Sequence, residues 1–81
     1  MFQRLNVKTI MLRNKLSGQL SYNQLPYVHH LEHTLSLLDE ILTAYELHDH
    51  AYTRKYRSFC RQWNAVERAY RKVLKQLLRT P

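Results

Sequence analysis

An apolar series running from Val28 to Leu77 limits what this chain can become more than any other feature. Val28, Leu31, Leu35, Leu38, Leu42, Tyr45, Asp49, Tyr52, Tyr56, Phe59, Trp63, Val66, Tyr70, Val73 and Leu77 follow one another at spacings of three and four. That alternation keeps side chains on one side of an α-helix, whereas a strand would need a period of two. Asp49 is the one charged member of the seam, and no Gly or Pro interrupts residues 27–80. One Gly and two Pro in 81 residues leave little turn chemistry for strands and hairpins, so the chain reads as a few long helices.

Two architectures satisfy the seam. The first is a continuous helix of about 55 residues, roughly 80 Å long, paired with a second copy as a coiled-coil dimer. The second is a helical hairpin that turns near His48-Asp49-His50, with Asp49 capping the last helix. Unbroken heptad phase favours the long helix, but side-chain volume favours the hairpin. The seam is aliphatic in its first half and aromatic in its second, so folding back sets Leu42 near Tyr56, Leu38 near Phe59 and Leu35 near Trp63. Small-against-large layers fill space, whereas a parallel dimer would stack Trp63 on Trp63.

The expected fold is therefore all-α. It is a single domain over residues 1–81, a three-helix bundle with helices at about 2–17, 26–47 and 50–79. In the first helix Phe2, Leu5, Leu12 and Leu16 mark one face, with Val7, Ile10 and Met11 beside it. Gly18 should end that helix and residues 17–26 should form a loop, with Pro26 in the first turn of the next helix. A chain this short sits near the lower limit for a self-sufficient core. Burying Leu37, Ile41, Leu74 and Leu78 in a dimer would add to it.

Charge is distributed unevenly. Residues 1–48 hold four bases and four acids, whereas residues 49–81 hold nine Lys/Arg and two acids and so carry the entire net charge of +7. With Val28 and Leu35 as heptad a positions, Arg54, Arg61, Arg68 and Lys75 all fall at f, furthest from the seam. Arg57 and Arg71 fall at b, and Lys72 and Arg79 at c. The expected interface comprises Arg54, Arg57, Arg61, Arg68, Arg71, Lys72 and Lys75 as phosphate contacts. Such a row releases counterions on binding and gives salt-sensitive, weakly sequence-specific attachment to DNA or RNA. The alternative is a small adaptor or inhibitor, of the kind phages and plasmids carry, that docks on an acidic surface of a larger protein complex. Glu32, Asp39 and Glu46 form a second heptad stripe, at e. Arg4, Lys8, Arg13 and Lys15 of the first helix are its expected partners.

Other chemistries find little footing. There is no glycine-rich phosphate loop, nucleophile elbow or converging carboxylate pair, so a non-enzymatic role and no cofactor are expected. His29 and His33 lie one turn apart, but His48 and His50 fall at the far end of the same helix, and no metal site is expected. Tyr52, Tyr56, Phe59, Trp63 and Tyr70 read as core residues, their hydroxyls emerging at the edges of the bundle. Cys60, the single cysteine, reads as a half-buried packing residue and leaves no internal disulfide to form. Bases interrupt every apolar run near the N-terminus, so no membrane contact and a cytoplasmic location (nuclear in a eukaryote) are expected.

Overall fold

A computed structural model describes residues 4–16 and 26–79. Three α-helices account for most of them, with no strand among the described residues: α1 spans Val7–Leu16, α2 Pro26–Leu47 and α3 Arg54–Arg79. Helix α3 packs against both α1 and α2, so the molecule is an all-α three-helix bundle. It is a short rod of 46 × 21 × 16 Å. The continuous long helix is thereby excluded, because the chain reverses between α2 and α3. Phe2, Gly18 and residues 17–25 of the expected 17–26 loop lie outside the described residues.

The reversal is built from local hydrogen bonds. The Asp49 N–H donates to the Glu46 carbonyl (3.3 Å) and the His50 N–H to the Tyr45 carbonyl (2.7 Å), closing the end of α2. That bonding pattern requires a left-handed residue between helix and turn, and Asp49 supplies it at φ 60°. Asp tolerates this region better than most side chains. Asp49 therefore ends α2 and does not cap α3. The α3 cap is Thr53, whose Oγ1 accepts the Tyr56 N–H at 3.2 Å and donates to the His50 carbonyl at 2.8 Å. Helix α3 accordingly starts at Arg54, and Tyr52, expected in the core, is 76% exposed in the turn.

At the other end of the chain, Asn6 caps α1 by accepting the Lys8 N–H on Oδ1 at 2.9 Å. This cap places the first described helix at Val7, five residues later than the periodicity suggested. Pro26 opens α2 as expected.

Val28, Leu31, Leu35, Leu38 and Leu42 of α2 are buried, in agreement with the seam. On α3 the buried set is Trp63, Glu67, Tyr70 and Leu74, while Phe59, Val66 and Val73 are only partly covered. The buried stripe of α3 has thus rotated from the a/d line toward a/e. The reason is α1, which lies against the e edge and contributes Thr9 and Leu16 to the core, with Leu5 just before it and Leu12 packed alongside. Leu74 is fully buried there, so it cannot serve the dimer contact that the sequence suggested. At the turn end, the Tyr45 ring stacks on Tyr56 (centroids 6.3 Å) and meets Phe59 edge-on (5.8 Å).

Candidate functional site

The outer face of α3 is the candidate site. Opposite the buried stripe, Arg54, Arg57, Arg61, Arg68, Lys72 and Lys75 are exposed. None of the six makes an ion pair to an acid among the described residues. Because a helix advances about 1.5 Å per residue, the f-position charges stand about 10.5 Å apart and the row is about 32 Å long. Arg54, Arg57 and Arg61 line a shallow trough of about 370 Å³. Three cations (Arg54, Lys55, Arg57) occupy the first turn of α3, which holds no acid. The macrodipole is positive there, so each cation works against helix stability by a few tenths of a kcal/mol. A bound anion would relieve that cost.

Arg71, the seventh expected contact, is placed differently. Its guanidinium lies 3.0 Å from Glu67 Oε1, one turn earlier on α3. The two form an ion pair whose N–H is not aligned as a hydrogen bond. Glu67 itself is buried and reaches across to α1. Its Oε2 accepts the Asn6 N–H at 3.0 Å and the Thr9 hydroxyl at 3.2 Å. A carboxylate at the start of α1 also suits the positive end of that helix dipole. Arg71 and Glu67 therefore anchor α1. With Arg4, Asn6, Trp63, Asn64 and Arg68 they wall a cleft of about 260 Å³ beside the basic row.

Two bases of the N-terminal segment, Arg4 and Arg13, are used internally. Arg4 Nε is 2.7 Å from Asp39 Oδ1, and its second amino group is 2.8 Å from Glu46 Oε1. Arg13 Nε is 3.3 Å from Glu32 Oε2. All three members of the acidic stripe are thus met by the N-terminal segment, as expected, though by Arg4 and Arg13 and not by Lys8 or Lys15. Two tyrosines of α3 reach the same acids from the other side. The Tyr70 hydroxyl donates to Glu32 at 2.6 Å and the Tyr56 hydroxyl to Glu46. These sites are edges of the bundle, although the Tyr70 ring itself is fully buried.

The bonds show in the ionisation of the groups. The hydrogen bond from Arg4, then that from Tyr56, holds the Glu46 carboxyl below its ordinary range. The same carboxylate, helped by partial burial and by Cys60, pushes the Tyr56 phenol up to about 12. Arg4 is held more firmly protonated, chiefly by Glu46.

Glu67 is the residue that sequence reasoning missed. It was visible only as one of two acids in a basic segment. A clue lay in the e positions of the last helix, Cys60, Glu67 and Leu74, which carry no base and so mark an edge that is not free. His29, His30, His33, His48 and His50 are all exposed, with His50 edge-on to Tyr45. No group of three or more His, Cys, Asp or Glu converges among the described residues. Cys60 is free and half-buried. No helix among the described residues is long and apolar enough to cross a membrane.

Comparison of the chain with protein-family models, curated proteins and solved structures returns no match.

Proposed function

We propose that the protein is a non-enzymatic binding module that lays the outer face of α3 along the phosphate backbone of DNA or RNA. The observation that carries this reading is the contrast between the two charge systems. Arg4 and Arg13 are neutralised by Glu32, Asp39 and Glu46, whereas six exposed cations on one helix have no acidic partner among the described residues. Arg54, Arg57, Arg61, Arg68, Lys72 and Lys75 are the phosphate contacts, and Arg71 contributes chiefly by holding Glu67 and α1. The buried reverse side of α3 (Trp63, Tyr70 and Leu74) fixes the backbone that carries the row, so the helix need not form on binding. Arginine predominates, and its planar fork suits phosphate oxygens. Phosphate contacts carry no base identity, so sequence preference is weak.

The test is a salt titration against short duplex and single-stranded oligonucleotides. Six contacts predict a slope of log-affinity on log-salt of about −5 for duplex DNA and about −4 for single strands. A fourfold rise in salt then weakens duplex binding about a thousandfold. Arg61→Gln should reduce the slope by about one. Absence of binding to every probe at low salt would hand this face to an acidic protein surface instead.

A further inference from the structure

Helix α1 is apolar on two sides, and the core accounts for only one. Leu16 and the partly buried Leu12 face inward beside Thr9, continued by Leu5 just before the helix. Val7, Ile10 and Met11 face outward, with Val7 70% and Met11 55% exposed. A ten-residue helix that needed only to pack on α3 would carry polar residues there. Beside this outward side, between α1 and the last turns of α3, lies a cleft of about 180 Å³. Met11 and Leu12 form its apolar floor, and Lys8, Lys15 and Lys75 surround it. None of the three lysines has an acidic partner among the described residues. Apolar surface next to water is thus ringed by charges of a single sign.

We propose that this cleft binds an acidic segment of a partner protein. One large apolar side chain of the segment rests on Met11 and Leu12, and Asp or Glu residues on either side of it pair with Lys8, Lys15 and Lys75. Charge complementarity selects the occupant. A second copy of this chain is a poor match, because four of its six acids (Glu32, Asp39, Glu46 and Glu67) are already engaged, only Glu40 and Asp49 are left over, both exposed, and the copy would bring its own surplus of +7. A nucleic acid would gain nothing from an apolar floor that offers no hydrogen bond to a base. The cleft lies away from the Arg54–Arg68 part of the basic row and shares only Lys75 with the proposed phosphate contacts, so the two partners would compete at that one residue.

The test titrates the isotope-labelled full chain with a synthetic peptide carrying Leu-Phe between two pairs of Glu, followed by amide chemical shifts. Saturable shifts should centre on Met11, Leu12 and Lys75, and a peptide with Ala-Ala in the middle should bind at least about tenfold more weakly. Lys8→Gln, Lys15→Gln and Lys75→Gln should each weaken binding about two- to fivefold. Lys75 belongs to α3, so its variant reports on the cleft even if changes in α1 disturb that helix. Arg57→Gln should leave peptide affinity unchanged. Four results would overturn the proposal: equal binding of the Ala-Ala peptide, shifts that follow Arg54 to Arg68, no saturation, or the same residues responding to phosphatidylserine vesicles and not to the peptide.

Discussion

Removing the Glu67 carboxylate should free α1 while leaving the α2–α3 hairpin folded. The carboxylate accepts two hydrogen bonds from α1, at 3.0 and 3.2 Å, and pairs with Arg71 at 3.0 Å. In Glu67→Ala the fully buried Thr9 hydroxyl and the Asn6 N–H lose their acceptor. Hydrogen bonds to a charged group contribute about 1.5–3 kcal/mol each, and stranded donors add a desolvation cost. Arg71 is partly exposed and regains water, which offsets some of the loss. A net destabilisation of about 3 kcal/mol follows, against a total of about 4–12 kcal/mol for a domain of this length. Glu67→Gln keeps an acceptor and should cost about 1–2 kcal/mol. Urea unfolding followed by circular dichroism gives the global value, and native-state hydrogen exchange locates the change. Amides of α1 should exchange faster by a larger factor than those of Leu35 or Leu38, because α1 is joined to the rest by fewer buried apolar residues. Stability within about 0.5 kcal/mol of the parent, with α1 protection unchanged, would refute the anchoring role of Glu67.

Three further outcomes are expected. Asp49→Gly should raise stability by about 0.5–1 kcal/mol in urea unfolding, because glycine adopts φ 60° without steric cost; a loss would show that the Asp side chain has its own role in the turn. Tyrosinate absorbance should reveal a phenol ionising at about 12, assigned by its loss in Tyr56→Phe and its fall toward the ordinary 10.0 in Glu46→Gln. The sign follows: since the folded pKa of Tyr56 is raised, its bond to Glu46 stabilises the fold fully below pH 10 and is lost as pH climbs through about 12. The lowered Glu46 value acts at the opposite end, its contribution fading as pH falls below the ordinary carboxylate range. Lysine at Glu32, Asp39 and Glu46 together should speed amide exchange in α1, since Arg4 and Arg13 would then face like charges; unchanged exchange would count against these ion pairs.

Much of the bundle was legible in the sequence because helix periodicity is a local property. Leu31, Leu35 and Leu38 had to share a face whatever their partner, and Pro26 had to lie at a helix start. The acidic stripe also declared its need for bases through spacing alone. Caps were harder to place, because Asp49 and Thr53 both have the chemistry to stop or start a helix. Only the path of the chain decides which side chain meets an orphan N–H. Tyr52 kept perfect heptad phase yet fell in the turn, since phase counts residues and takes no account of where the chain reverses.

By itself, then, the sequence determined three helical segments, the apolar seam that joins two of them, and the surplus of positive charge on the last. Tertiary structure decided which edge of the hairpin α1 would cover. That choice turned α3 so that Glu67 and Leu74 replaced Val66 and Val73 in the core. It also divided the bases into those tied to acids and those left facing water. The physical reason is that a heptad fixes a face only to within its own width, and a hairpin has two equivalent edges until a third helix settles on one. Here a buried carboxylate on α3 and an acidic stripe on α2 both lie along the e edge, and α1 with the residues just before it carries the donors that match them.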